Sequence, residues 1–180
     1  MKKITLILGT LLVLLLTSCI GSDGRDGLDG LNGLDGENGK VIDIVGDFTA
    51  QDGYKIFFEF PQTIEVFETD VVLVYILFDQ TEDSNGEVVD IWRLLPQTLI
   101  LPQGLLQYNY EHTFFDVNIF LDADFDRGTL QAGDTDNQVF RIAVIPAETT
   151  GKSSVDKFNI DAVMRSLGVV EKDIQKIKLN

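Results

Sequence analysis

The chain has 180 residues, a single cysteine, a single histidine and a formal net charge of −15 at neutral pH. That charge argues against nucleic acid and anionic headgroups as partners, because a phosphate-binding surface needs clustered lysine and arginine. One cysteine excludes an internal disulfide, and with one histidine it excludes the usual zinc sets and a Cys–His nucleophile pair.

The first segment is an export signal. Met1-Lys2-Lys3 supplies positive charge, ITLILGTLLVLLL supplies a short apolar core, and Leu16-Thr17-Ser18-Cys19 ends it with small residues. The core is too short for a comfortable membrane span. Those last four residues resemble the lipobox of bacterial lipoproteins. The resemblance implies a signal peptide over residues 1–18, cleavage before Cys19, and acyl chains such as palmitate on its sulfur and new amine. An ordinary signal peptide with an incidental cysteine is the other reading. Several acyl chains on one residue exceed the two-signal requirement for stable anchoring, at about 0.8 kcal/mol per buried methylene. Ile20 after the cysteine, rather than Asp, is compatible with the outer membrane, with the leaflet left open. Losing Lys2 and Lys3 with the signal would take the net charge from −15 to −17.

Glycine then recurs at every third position from Gly21 to Gly39, in GSDGRDGLDGLNGLDGENGK. Strict glycine at that period is what the crowded axis of a triple helix requires. The stretch resembles the repeats of bacterial collagen-like surface proteins, and with the lipobox it places the chain near the small collagen-like lipoproteins of Gram-negative bacteria. It departs from them in carrying none of the chain's four prolines. Without that stiffness, and with aspartates stacked against one another, a homotrimer is disfavoured and an extended spacer over 19–40 is expected. Extended at about 3.1 Å per residue, such a spacer reaches on the order of 60 Å.

Residues 41–180 read as one mainly β domain, an antiparallel β-sandwich with a short C-terminal helix. YKIFFEF (54–60) alternates, with Tyr54, Ile56, Phe58 and Phe60 on one face. VVLVYILF (71–78) is apolar on both faces, as in a central strand. Asn85-Gly86 signals a hairpin turn before EVVDIWRLL. Leu106, Tyr108, Tyr110, His112 and Phe114 alternate, after which the phase slips by one to Phe115, Val117, Ile119 and Leu121. The slip suggests a β-bulge or a strand changing sheet. QVFRIAVIPA (138–147) is a further long strand. Ile160, Val163, Met164 and Leu167 have helical spacing with Gly168 as a stop, and DIQKIKLN is expected to return as an edge strand. The helix is expected over one end or edge of the sandwich.

Candidates for chemistry are few. His112 shares a face with tyrosines and is expected in a core or half-buried aromatic role, and Trp92 is expected in the core. Neither GxSxG nor HExxH occurs, and no glycine-rich phosphate loop opens a helix. No catalytic residue is assigned, and the chain is read as a non-enzyme. In Asp122-Ala-Asp124-Phe-Asp126-Arg-Gly128, alternate aspartates could offer calcium several hard oxygen ligands within one turn. Asp134 and Asp136 follow soon after. The glycine stands one place late for an EF-hand and Gly133 occupies the position of the closing glutamate, so the stretch is not one; a solvated acidic loop is the plainer alternative. The expectation is therefore a lipid-anchored envelope protein presenting a binding or structural module for adhesion, glycan capture or envelope assembly. A two-carboxylate hydrolase of envelope or extracellular polymers is the alternative.

Overall fold

The structure is a computed structural model that describes residues 39–147 and 155–179. Cys19, the signal segment and most of the glycine repeat lie outside the described residues. Nine strands are present there: β1 (Lys40–Gly46), β2 (Lys55–Glu59), β3 (Val71–Glu82), β4 (Val88–Leu94), β5 (Gln97–Leu101), β6 (Gly104–His112), β7 (Asp116–Ala123), β8 (Gln138–Ile145) and β9 (Gln175–Lys178). Two short helices accompany them, α1 (Ala132–Thr135) and α2 (Ile160–Leu167). One sheet runs in the order β4-β3-β8-β1-β9 and the other in the order β2-β7-β6-β5. The protein is an antiparallel β-sandwich with a short C-terminal helix, as its patterning predicts. The pairing of β9 with β1 is parallel. No helix among the described residues is long and apolar enough to cross a membrane.

Alternation assigns side chains to the core between the sheets. Ile56 and Phe58 of β2, Leu106 and Tyr108 of β6, and Val117, Ile119 and Leu121 of β7 meet Ile42, Val74, Phe140 and Ile142 from the five-stranded sheet. The outer face of that sheet is buried as well. Val41, Leu73, Tyr75, Ala143 and Ile145 pack against Ile160, Val163, Met164 and Leu167 of α2. Burial on both faces explains why the β3 and β8 sequences read as continuous apolar runs rather than alternating ones. The helix therefore covers a sheet face, not the end or edge of the sandwich that its amphipathic stripe suggested. Asn159 caps its start by accepting from the Ala162 N–H, and Gly168 ends it in the left-handed region at φ 67°.

The phase slip after His112 has a different cause from the one expected. β6 and β7 pair from Leu106↔Ala123 to His112↔Val117, and residues 113–115 form the turn between the two strands. A tight hairpin resets the alternation because the returning strand starts its own pleat; neither a bulge nor a change of sheet is involved. The bulge occurs instead in β3, between Leu77 and Asp79. Beyond that point β3 pairs only with β4, and the hairpin arm projects past β8. The Asn85-Gly86 turn closes it, with Gly86 at φ 80°. Asp83 accepts from the Asn85 and Glu87 N–H groups at 2.8 and 2.9 Å. Those backbone bonds, from Glu87 first and then Asn85, hold its carboxyl below the usual carboxylate range.

Candidate binding surface

One end of the sandwich carries an aromatic patch built by two connections. Residues 60–70 cross from the four-stranded to the five-stranded sheet, with Val66 buried as a plug. The Phe67 N–H donates to the Asp70 carboxylate at 3.0 Å, and the Asp70 N–H returns to the Phe67 carbonyl at 3.0 Å. The β6–β7 turn is closed by Thr113 N–H to Asp116 O at 2.9 Å and by Phe115 N–H to Thr113 Oγ1 at 3.0 Å. The Phe60 N–H donates to the Phe115 carbonyl at 2.8 Å and joins the two connections. With the backbone so fixed, Phe67, Phe114 and Phe115 remain 44%, 37% and 63% exposed. They and Phe60 wall a groove of about 850 Å³ bordered by Glu59, Glu65 and Glu68. Gly39 and Lys40, at the start of β1, lie beside Glu65.

A second concavity of about 750 Å³ lies across the β6–β7 turn, where Asp47, Asp52, Glu111 and Asp116 gather with Lys55 and His112. It brings several carboxylates together, as a two-carboxylate mechanism requires. Three of these acids already hold local structure. Asp47 accepts from the Asn137 N–H at 2.6 Å, Asp52 from the Thr49 hydroxyl at 2.5 Å, and Glu111 from the Asn118 amide at 2.8 Å. His112 is exposed rather than in the core, because it is the last residue of β6. Its ring stacks on Tyr110 with centroids 6.3 Å apart.

The aspartates of residues 122–136 are distributed, not gathered. Asp122 is an exposed residue of β7. Asp124 accepts from the Leu105 N–H at 2.8 Å and latches the end of β7 to the start of β6. It lies against Gly104, whose φ of 146° suits the residue that has no Cβ to meet that carboxylate. Asp126 caps the 3-10 turn Arg127–Thr129 through the Gly128 N–H at 2.9 Å. Asp134 closes a capping box on α1, and Asp136 accepts from the Thr135 hydroxyl. Among the described residues no group of three or more His, Cys, Asp or Glu side chains is arranged to hold a metal ion. Asp122, Asp124 and Asp126 are not gathered into such a group.

The most deeply set charges are not among the residues that the sequence patterning singles out. Asp43 of β1 and Arg141 of β8 are cross-strand partners, each 2% exposed, on the face under α2. Arg141 Nε and Nη2 donate to Asp43 at 2.7 and 2.9 Å. Nη1 and Nη2 donate to Glu171 at 2.9 and 2.6 Å. Trp92, half-buried on this outer face rather than in the inter-sheet core, lies 4.3 Å from the guanidinium carbon. Burial alone would lower the Arg141 pKa, but the hydrogen bonds it donates to Asp43 and then Glu171 hold it above its ordinary value. The signal was an aspartate inside VIDIV and an arginine inside VFRIAV, two opposite charges in apolar strands. Chemically the cluster is closed and fixes the segment after α2 to the sheet. No protein-family model, curated protein or solved structure matches the chain.

Proposed function

We propose that the chain is a cell-envelope lipoprotein, anchored through acylated Cys19, that holds a non-catalytic β-sandwich on a glycine-repeat spacer. In this reading the sandwich binds a partner with its aromatic end. The observation that carries it is the exposure of Phe67, Phe114 and Phe115 on one braced surface. Apolar area left in water forgoes about 25 cal/mol per Å², and clustered exposed apolar side chains mark interaction sites. Rings held by a hydrogen-bonded turn also lose little entropy on binding. The anchor rests on the lipobox, and Ile20 beside Cys19 is compatible with the outer membrane. The net charge of −15 suits a head held off a negatively charged bilayer and disfavours nucleic acid.

The test is a photo-reactive benzoylphenylalanine placed at Phe115 of the anchored chain in intact cells, with Ser84 at the β3–β4 turn as the reference position. Irradiation should give a discrete covalent adduct from position 115 and none from position 84. No adduct at 115, or the same adducts from both positions, would refute the aromatic end as the working surface.

A further inference from the structure

We infer that the groove at the aromatic end takes an extended protein segment in which lysine or arginine alternates with apolar residues. The inference rests on the reading of this end as the binding surface and adds the chemistry of the occupant. Glu59, Glu65 and Glu68 border the groove, and among the described residues no lysine, arginine or histidine lines it; Lys40 lies beside Glu65 outside it. All three are exposed, and none forms an ion pair among the described residues, where both ion pairs belong to Arg141. Between them stand the rings of Phe60, Phe67, Phe114 and Phe115. A phenylalanine floor with an acidic rim is complementary to a side chain that has an apolar stem and a cationic head. The stem covers the rings, while the head lies over a ring face or reaches a carboxylate.

Other occupants match this surface less well. The Phe114 and Phe115 rings are 4.0 Å apart between centroids but tilted by 42°, so they offer no flat platform for a sugar. Phenylalanine also lacks the polar tip with which tyrosine or tryptophan would hold a hydroxyl. An anionic bilayer would bring its charge against three carboxylates. The chain's own glycine repeat carries Asp23, Asp26, Asp29, Asp35 and Glu37 against Arg25 and Lys40, and like charge repels it.

The experiment titrates the full chain, in neutral detergent micelles, with a short labelled peptide of alternating lysine and leucine and with a counterpart carrying glutamate for lysine. The lysine peptide should bind at least about tenfold more tightly than the glutamate peptide, and its affinity should fall with added salt. Phe114→Ser with Phe115→Ser, and separately Glu59→Gln with Glu65→Gln and Glu68→Gln, should each weaken it about tenfold. A control triple on the projecting hairpin, Asp79→Asn with Glu82→Gln and Glu87→Gln, should leave affinity within about twofold, since exposed charges far from the contact are screened. Unchanged urea midpoints establish that every variant is folded. Equal weakening by the two triples would mean general adhesion to an acidic surface and would overturn the inference. Equal affinity for both peptides with retained phenylalanine dependence would overturn the charge pairing and leave the aromatic end as the binding surface. Indifference of both peptides to the phenylalanines would overturn both readings. Quenching of Phe115→Trp fluorescence by brominated acyl chains, beyond that of the parent chain, would assign the tip to the bilayer and overturn the inference.

Discussion

Replacing Asp43 by alanine should cost far more than its single carboxylate suggests. In the intact protein Arg141 is 2% exposed and makes two bonds to Asp43, at 2.7 and 2.9 Å, from the sheet side. Its other carboxylate, Glu171, approaches from a side chain that is 59% exposed. Asp43→Ala leaves a buried cation compensated only from the solvent side, in a site shaped for two partners. Breaking a buried pair by removing one member costs about 3–5 kcal/mol, and retention of Glu171 places the expectation near ~3 kcal/mol. Domains of this size are stable by about 5–15 kcal/mol, so the variant should fold with a much reduced margin. With a urea slope of about 2 kcal/mol per molar, the midpoint should fall by roughly 1.5 M. Glu171→Gln should cost no more than about 1 kcal/mol, because water already screens that partner. The double variant Asp43→Val with Arg141→Met, which removes both charges, should recover to within about 1 kcal/mol of the parent. Equilibrium urea unfolding followed by Trp92 fluorescence reads all four proteins. A midpoint for Asp43→Ala above that of Glu171→Gln would refute the argument, as would a double variant no more stable than Asp43→Ala.

The remaining expectations concern tyrosines and the aspartate stretch. Burial raises the hydroxyl pKa values of Tyr75, Tyr108 and Tyr110, which donate to the carbonyls of Lys157, Asp134 and Val72. Above about pH 10 the unfolded chain loses protons that the folded chain keeps, so stability should fall with pH there and be insensitive to these groups below about pH 9. Each tyrosine contributes at most about 1.4 kcal/mol per pH unit, and Tyr75→Phe should make the alkaline slope of the urea midpoint shallower; an unchanged slope would refute its role. Asp124→Ala should cost about 1 kcal/mol by orphaning the Leu105 N–H, and millimolar calcium should leave parent and variant equally unshifted. A calcium-dependent rise in melting temperature that Asp124→Ala removes would restore the aspartates as a site.

Sheet and helix existence was legible where one period dominates. Ile56 and Phe58, Leu106 and Tyr108, and Val117 through Leu121 announce a pleated half-buried strand, and Ile160 through Leu167 announce one helical stripe. The helix's resting place was not legible, since a stripe shows that something covers it and not which face does. The apolar runs of β3 and β8 held the missing information: two buried faces need two covers, and α2 is the second. The turn at Phe114-Phe115 is not legible in the sequence because apolar residues rarely occupy exposed turns, and that departure from pattern is what singles it out. Asp43 and Arg141 were overlooked because charge inside an apolar strand means nothing until register pairs it. The 60–70 connection, rich in glutamate and phenylalanine, has no period at all; only its crossing beside the β6–β7 turn makes a groove of it.

The function proposed for the aromatic end presumes a head tethered in the envelope through an acylated Cys19. The most direct measurement is mass spectrometry of the N-terminal peptide of the chain purified from membranes. Cys19 is expected as the first residue, bearing acyl chains on its sulfur and amine. An N-terminus elsewhere, or Cys19 present with a free thiol, would contradict it.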